Sequence, residues 1–160
     1  LQQSHEHYTM GHYIEAGIAY YRATGNEKAL AIATRMADCI ERSFGREPGK
    51  IDGADGHPEI EMALAKLYEL TGEKKYIDLA NYFVTWRGAD PTFYEKQNLE
   101  DGLENEMISG MGVMPPSYYQ ADGVPVDQEM LEGHAVRVVY LCAGMAHVAR
   151  ITKDVSIIHI

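Results

Sequence analysis

The chain has 160 residues, a length typical of one domain or of part of a larger one, and its 46% hydrophobic content is enough for a folded core. Its formal net charge of -10 argues against nucleic acid or an anionic membrane as a partner, because both are bound by clustered Lys and Arg. Neutral and polar small molecules remain open as ligands.

The two ends of the chain look cut. It begins at Leu1 without a methionine and stops in DVSIIHI, where a new apolar stretch has begun. We therefore expect a fragment of a longer chain, and its oligomeric state stays open. No apolar run looks long enough to cross a bilayer, so no membrane contact is expected, and no signal peptide is visible, which favours the cytoplasm.

A first helix is predicted from His5 to Ala23. Its apolar residues recur at helical spacing and are expected on one buried face: Met10, Tyr13, Ile14, Gly17, Ile18 and Tyr21. Gly25 suits the left-handed position that follows a helix, and Asn26 can cap the next one. That second helix has an apolar stripe of Leu30, Ala33, Ala37 and Ile40.

A second helical hairpin follows. Pro58 is placed at the first helical position, where proline is tolerated, and Glu59 and Glu61 put negative charge into the first turn. The inward residues of this helix are expected to be Ile60, Ala63, Leu64 and Leu67. Those of the helix after it are expected to be Tyr76, Ile77, Ala80, Phe83 and Val84.

The two hairpins form an internal repeat. The segments YYRATGNEKALAIA and LYELTGEKKYIDLA align Thr24 with Thr71 and Gly25 with Gly72, a period near fifty residues. Hairpins of this kind stack on each other because one alone cannot bury its apolar face.

The segment 88–125 interrupts the repeat and is predicted to be a long loop, since glycine and proline are frequent in it. Its aromatic residues suit stacking on a sugar: Phe93, Tyr94, Tyr118 and Tyr119. A disordered or docking insertion is the alternative. A long helix is then predicted from about Asp127 to Ile151.

Three helices carry a Gly-His doublet near their start, which makes His12, His57 and His134 candidate binding residues. The glycine lets a ligand or a neighbouring backbone approach closely. If the hairpins form a ring, the histidines could converge on one pocket, where a neutral imidazole offers a sugar one donor and one acceptor. The alternative is that each histidine is a helix cap or a satisfied core residue.

Other chemistries have weaker support. HEHYTMGH contains His5, His7 and His12, but on a helix the first two point to different faces, and no metal site is predicted in this chain. Cys39 and Cys142 fit neither a disulfide framework nor a CxxC motif, and both are expected to be buried thiols. Five carboxylates lie near the doublets, and the sequence does not separate a catalytic acid from a bystander: Glu15, Glu59, Glu61, Glu129 and Glu132.

Three blocks together resemble the bacterial glycoside hydrolases of family 127, whose type activity is β-L-arabinofuranosidase. They are HEHYTMGHYIEAGIAYYRATGNEKALAIATRMAD, GKIDGADGHPEIEMALAKLYELTGEKKYIDLA and YYQADGVPVDQEMLEGHAVRVVYLCAGMA, in the family's order. The resemblance implies an all-α fold for residues 1–160, with repeated helical hairpins forming part of an (α/α)6 barrel. It also implies that His12, His57 and His134 bind the arabinofuranose of a glycoside or oligosaccharide.

The same resemblance implies a full-length retaining enzyme with a zinc-bound cysteine thiolate as nucleophile. The zinc ligands and the acid/base belong to motifs beyond the third block, and Cys39 and Cys142 do not match them. No catalytic residue and no bound metal are therefore expected in this chain. The 160 residues alone are expected to be inactive and marginally stable, because an open barrel leaves its inner helices half exposed.

Two alternatives stay open. One is another (α/α)6 sugar enzyme, such as an N-acyl sugar epimerase or an unsaturated uronyl hydrolase, which can work without zinc. The other is a non-catalytic helical-repeat scaffold that binds a protein partner. The scaffold predicts that no sugar binds and that replacing the three histidines leaves partner binding unchanged.

Overall fold

The structure is a computed structural model that describes residues 4–102, 114–130 and 132–158. The described part is all-α, as predicted, with six α-helices. They are α1 (Glu6–Thr24), α2 (Glu27–Ser43), α3 (Ile60–Thr71), α4 (Lys74–Trp86), α5 (Phe93–Glu100) and α6 (Ala135–Thr152). Short 3-10 turns lie at Pro116–Tyr119, Pro125–Asp127 and Val155–Ile158.

Helices α1–α4 pack as two hairpins, and α6 packs beside the second one. α1 contacts α2 and α3, and α3 contacts α4 and α6, so α1, α3 and α6 form a central row. We call these three the inner helices. The inward residues predicted for α3 and α4 are all buried. The prediction for Tyr13 is wrong, because 63% of it is exposed. The buried side of α1 follows His7, Gly11, Ile14 and Ile18, and Tyr13 lies about 100° around the helix from its neighbour Ile14.

The Thr-Gly turns of the repeat have the same geometry. Gly25 (φ 70°) and Gly72 (φ 75°) are left-handed, and each donates its N–H to a tyrosine carbonyl oxygen at 2.7 Å. α6 ends in a third turn of this kind, which the sequence analysis did not identify. There Lys153 (φ 65°) takes the place of the glycine and donates its N–H to the Ala149 carbonyl at 2.8 Å.

α6 starts later than predicted. Residues 128–130 and 132–134 are not helical, and Gly133, with φ 87°, stops a helix from continuing into α6. Leu131, inside the predicted helix, lies outside the described residues.

The sequence expectation that no apolar run could span a bilayer also needs correction. Among the described residues, α6 is the one helix long and apolar enough by length and composition, with a mean hydropathy of 1.2. A helix in a protein core passes the same test, and α6 packs against α3 and α4.

The described part of the segment 88–125 contains both helix and turn. α5 lies within it, and so does the 3-10 turn Pro116–Tyr119, whereas residues 103–113 lie outside the described part. The segment packs against the hairpins through Phe93, whose ring lies 4.8 Å from that of Trp86.

The cysteines are not the buried thiols that the sequence suggested. Cys39 is exposed on α2, and Cys142 is half-buried on α6. Cys39 follows the buried Ala37 by two residues, which places it about 200° around α2 from that residue.

Candidate functional site

The N-terminal ends of α1, α3 and α6 meet at one end of the molecule and bring aromatic rings together. We define the histidine cluster as His5, Tyr8, His12, His57, His134 and Tyr140. His57 lies at its centre. Its ring centroid is 4.2 Å from that of Tyr8 and 5.3 Å from that of His5. On the other side it is 6.2 Å from the ring centroid of His134.

His12 joins the cluster through two tyrosines. Its ring centroid lies 4.5 Å from that of Tyr8 and 5.7 Å from that of Tyr140. Tyr140 in turn lies 6.0 Å from His57. The packing of α1, α3 and α6 in one row therefore brings all three Gly-His histidines to one region.

The tautomer of His57 follows from its surroundings. The residue is buried, and its Nδ1 lies 2.8 Å from the Pro58 carbonyl oxygen. A carbonyl oxygen only accepts hydrogen bonds, so Nδ1 carries the proton and Nε2 keeps a lone pair. Burial is the main reason that the pKa of His57 falls to about 4; the Pro58 carbonyl opposes this fall, and the charge of Arg137 adds to it. At neutral pH His57 is thus an uncharged imidazole with an acceptor nitrogen.

His134 is the N-cap residue of α6, not a residue inside the helix as predicted. Its ring lies 5.4 Å from that of Tyr118, and the Arg137 guanidinium lies 4.7 Å above the same tyrosine ring. Gly133 is required before it, because a Cβ there would fall 2.2 Å from the Ser117 carbonyl oxygen.

The loop that carries His57 is fixed by the carboxylate of Asp55. One of its oxygens accepts the backbone N–H of His57 at 2.8 Å, and the other accepts that of His7 at 2.9 Å. The ring of His7 points away from the cluster into the core, 4.3 Å from the ring of Phe44 and 5.3 Å from that of Phe83. Burial lowers the pKa of His7 to about 3, so His7 is an uncharged core residue.

Arg87, at the end of α4, connects the layer below the cluster. Its fully buried guanidinium donates to the backbone carbonyl oxygens of Asp55 at 2.8 Å and Tyr119 at 3.1 Å. It also pairs with the buried carboxylate of Glu61 at 3.4 Å. The Tyr94 hydroxyl donates to the same Asp55 carbonyl at 3.0 Å. One side chain thus joins the His57 loop, α3 and the segment before α6.

A second group of polar side chains lies beside His12. The Glu59 side chain is 0% exposed and approaches the backbone of α1 where Gly11 leaves room: a Cβ on that glycine would fall 1.4 Å from Oε2 of Glu59. Ligand atoms of His12, Glu15 and Glu59 lie within 4.8 Å of one another, the one group in the described residues that is spaced to hold a metal ion. Lys66 forms an ion pair with Glu15.

Three members of the cluster were not among the predicted binding residues. His5 and Tyr8 precede His12 by seven and four residues, so helical spacing could have placed all three on one face. His5 also has a left-handed backbone (φ 55°), which is uncommon for a residue other than glycine. No motif or spacing in the sequence marked Tyr140 of α6 as a binding residue.

Two of the proposed sugar-stacking residues are instead part of the core. Tyr94 and Tyr119 are buried and contact Arg87, so neither ring face is open to a sugar. Tyr118 does lie beside His134. Of the five carboxylates, Glu59 and Glu61 are buried, whereas Glu129 and Glu132 are exposed.

The whole chain, residues 1–160, matches the family described as β-L-arabinofuranosidase, GH127 catalytic domain. The chain belongs to glycoside hydrolase family 127. Within this GH127 family it is 55% identical, over 99% of its length, to a non-reducing end β-L-arabinofuranosidase of Bifidobacterium longum subsp. longum. The chain covers 24% of that relative.

Solved GH127 structures have the same fold over this part. A β-L-arabinofuranosidase from Geobacillus stearothermophilus T6 superimposes with a TM-score of 0.89 at 40% identity, covering 98% of this chain and 24% of that one. The β-arabinofuranosidase BT3674 gives a TM-score of 0.78 at 41% identity, covering 97% of this chain and 21% of the other. The chain thus spans about a quarter of the length of these relatives.

Proposed function

We propose that the chain is a section of the (α/α)6 barrel of a retaining β-L-arabinofuranosidase, with 88–125 as its long connecting segment. His12, His57 and His134 would contact the arabinofuranose of the substrate. The family, and the activity named for the relatives above, support this choice over an epimerase, a uronyl hydrolase or a scaffold.

One observation carries the site assignment: an uncharged His57 at the centre of the histidine cluster. Its Nδ1–H donates a hydrogen bond to the Pro58 carbonyl oxygen, so Nε2 offers a lone pair to a sugar hydroxyl. Aromatic rings surround it, and sugar rings pack their C–H faces on such rings while their hydroxyls bond to imidazoles. The cluster combines both kinds of contact.

The zinc-cysteine centre implied for the family does not fit the described residues. The one group of three described residues that is spaced for a metal ion contains no thiol, and Cys39 and Cys142 lie on different helices. We therefore assign the nucleophile, the acid/base and any zinc to other parts of a full-length enzyme. This chain would bind and orient the sugar.

The test is hydrolysis of a chromogenic β-L-arabinofuranoside by an enzyme of full family length that carries this segment. We expect His57→Ala to lower kcat/KM by about 100-fold or more, because an acceptor in the sugar site is lost. His147→Ala is the matched control. It is a half-buried histidine, but it lies 13 residues beyond His134 along α6, or about 20 Å away.

Each outcome is informative. Turnover that is unchanged in His57→Ala would keep the enzyme class and remove the site assignment. A wild-type enzyme that does not hydrolyse the substrate would overturn the proposed activity and return weight to the other sugar enzymes or to the scaffold.

A further inference from the structure

Glu59 has no role in the sugar contacts proposed above, yet its buried carboxyl lies directly beside His12. The distance from His12 Nδ1 to Glu59 Oε1 is 3.8 Å, which is too long for a hydrogen bond. Neither carboxyl oxygen of Glu59 accepts a hydrogen bond from any donor in the described part of the chain. A buried carboxylate in that condition is strongly disfavoured, so the group must be neutralised in some way.

The neighbouring acids each have a cation of their own. Lys66 pairs with Glu15, and Arg87 pairs with Glu61. Glu59 itself has negative charge from both Glu15 and Glu61 nearby, and the imidazole of His12 lies beside it.

A shared proton resolves this arrangement. Carboxylate oxygens of Glu15 and Glu59 lie within 4.8 Å of each other, and because two ionised carboxylates can only accept, a hydrogen bond between them requires a proton on one. Burial first, and then the negative charge of Glu15 and Glu61, raise the pKa of Glu59 to about 9. Glu59 therefore holds the proton at neutral pH, while the carboxyl of Glu15 faces the ammonium of Lys66.

We propose that Glu59 and Glu15 form a buried acid pair that shares one proton, and that Glu59 is a positioning residue that places a neutral carboxyl, not a negative charge, beside the ring of His12. This inference rests on the proposed function of His12 in the sugar site. An ionised Glu59 would instead draw a proton onto His12. An imidazolium has two donors and no acceptor, so it would lose one of the two ways in which a neutral ring can bond to a hydroxyl.

The geometry favours a proton over a bound cation. His12, Glu15 and Glu59 are spaced for a divalent ion, but the Lys66 ammonium already lies against the carboxylate of Glu15. A divalent ion would have to share that carboxylate with a positive charge, whereas a proton between two carboxyls has no such conflict.

The first test compares Glu59→Gln with Glu59→Ala in the full-length enzyme, with Glu129→Gln as a control at an exposed carboxylate. Glutamine has the shape of a protonated acid and an N–H to donate to Glu15, so KM should stay within about threefold of wild type. Alanine removes the pair, and we expect KM to rise about tenfold, with a smaller change in kcat.

A double-mutant cycle tests whether the effect acts through His12. In the His12→Ala background, Glu59→Ala should add no further rise in KM, because the ring that it positions is gone. An additive effect would overturn the positioning role. Equal damage by Glu59→Gln and Glu59→Ala would overturn the protonated state, and a harmless Glu59→Ala would overturn both.

The protonation can also be measured without turnover, from thermal unfolding against pH. Other groups that face this site are unchanged in the variant: His12 and Glu15 of α1, Glu61 and Lys66 of α3, and Tyr140 of α6. The folded state keeps a proton that an unfolded Glu59 releases above about pH 4.5, so Glu59 makes the wild type progressively less stable up to about pH 9. The Glu59→Gln variant does not lose stability with pH in this way, because glutamine does not titrate.

The Tm of wild type minus that of Glu59→Gln should therefore fall steadily between these two pH values. A flat difference would overturn the acid pair whether or not the enzyme hydrolyses arabinofuranosides. Bound metal is measured in the same two proteins by mass spectrometry and is expected to be equal. Loss of one equivalent of metal in Glu59→Gln would replace the acid pair with a metal site.

Discussion

The two ends of the inner helices are built in different ways. At the C-terminal ends of α1 and α3, a threonine and a left-handed glycine satisfy the last carbonyls through contacts within four residues, and a Cβ added to either glycine would meet nothing within 4 Å. At the N-terminal ends, the polar groups are buried and find their partners far away in the sequence. The His7 N–H reaches Asp55 across 48 positions, and Arg87 reaches Tyr119 across 32.

Local turns stabilise the hairpins, whereas long-range contacts between buried polar groups shape the site. A turn that closes on itself tolerates change, because its loss removes only a few tenths to one kcal/mol. A layer of buried charged groups does not tolerate change, because removing one charged side chain leaves its partner unpaired in a low dielectric. The candidate site lies in that second layer, and variants at the two ends should therefore differ strongly in their cost.

The largest effect is expected at Arg87. Arg87→Met keeps the apolar stem but leaves the Glu61 carboxylate buried without its cation, so we expect a loss of about 3–5 kcal/mol in the free energy of unfolding. Arg150→Met is the control, since Arg150 pairs with Glu69 at the surface, where such pairs contribute less than about 1 kcal/mol. Urea unfolding measures both.

Arg87→Lys separates charge from geometry. A lysine retains the cation for Glu61 but not the planar fork that reaches two carbonyl oxygens, so its loss should lie between those of the methionine variant and the control. A loss for Arg87→Met no larger than that for Arg150→Met would contradict the role of the buried layer.

The next largest effect is expected where α1 makes room for the acid pair. Gly11→Ala should stabilise an ordinary helix by about 1 kcal/mol. Here the new Cβ meets Glu59 Oε2 at 1.4 Å and the Ile60 Cα at 3.2 Å, so we expect a net loss of about 1–3 kcal/mol.

The control for Gly11→Ala is the same substitution in a Glu59→Ala background. There the carboxylate is gone, and the alanine should cost much less or become stabilising. Equal effects in both backgrounds would mean that the contact with Glu59 does not determine the requirement for glycine at this position. Thermal unfolding of the four proteins completes the cycle.

The hairpin repeat could be predicted from the sequence because its signals are local. The Thr-Gly pairs and the apolar spacing of α3 and α4 depend on residues within a few positions, and the structure has both. The start of α6 could not be predicted in this way, because the sequence of 127–134 has a helical pattern. The left-handed Gly133, which lies against the Ser117 carbonyl, prevents a helix there. The stop is a tertiary contact.

The site was predictable only in part. The Gly-His doublets pointed to three histidines, and packing of the inner helices gathers them. Glu59 was one of five candidate carboxylates that the sequence could not tell apart, and Arg87 gave no signal, because buried charged residues look in sequence like solvated ones. Their meaning comes from partners that lie 26 or more residues away, such as Glu61 for Arg87 and Gly11 for Glu59.

The smallest effect is expected at the turn after α6, where Lys153 occupies the left-handed position that Gly25 and Gly72 hold in the two hairpins. Lys153→Gly should stabilise the chain by about 0.5–1 kcal/mol, because a left-handed backbone strains a residue with a Cβ and this gain exceeds the extra entropy of glycine in the unfolded chain. Lys153→Ala keeps the strain and removes only the charge at the helix end, which separates the two contributions.

Gly72→Ala is the reverse experiment, and since nothing lies within 4 Å of its new Cβ, its loss of about 1 kcal/mol would report backbone strain alone. A Lys153→Gly variant less stable than wild type, beside a Gly72→Ala variant that loses stability as expected, would mean that the third turn depends on the lysine side chain and is not equivalent to the turns of the repeat.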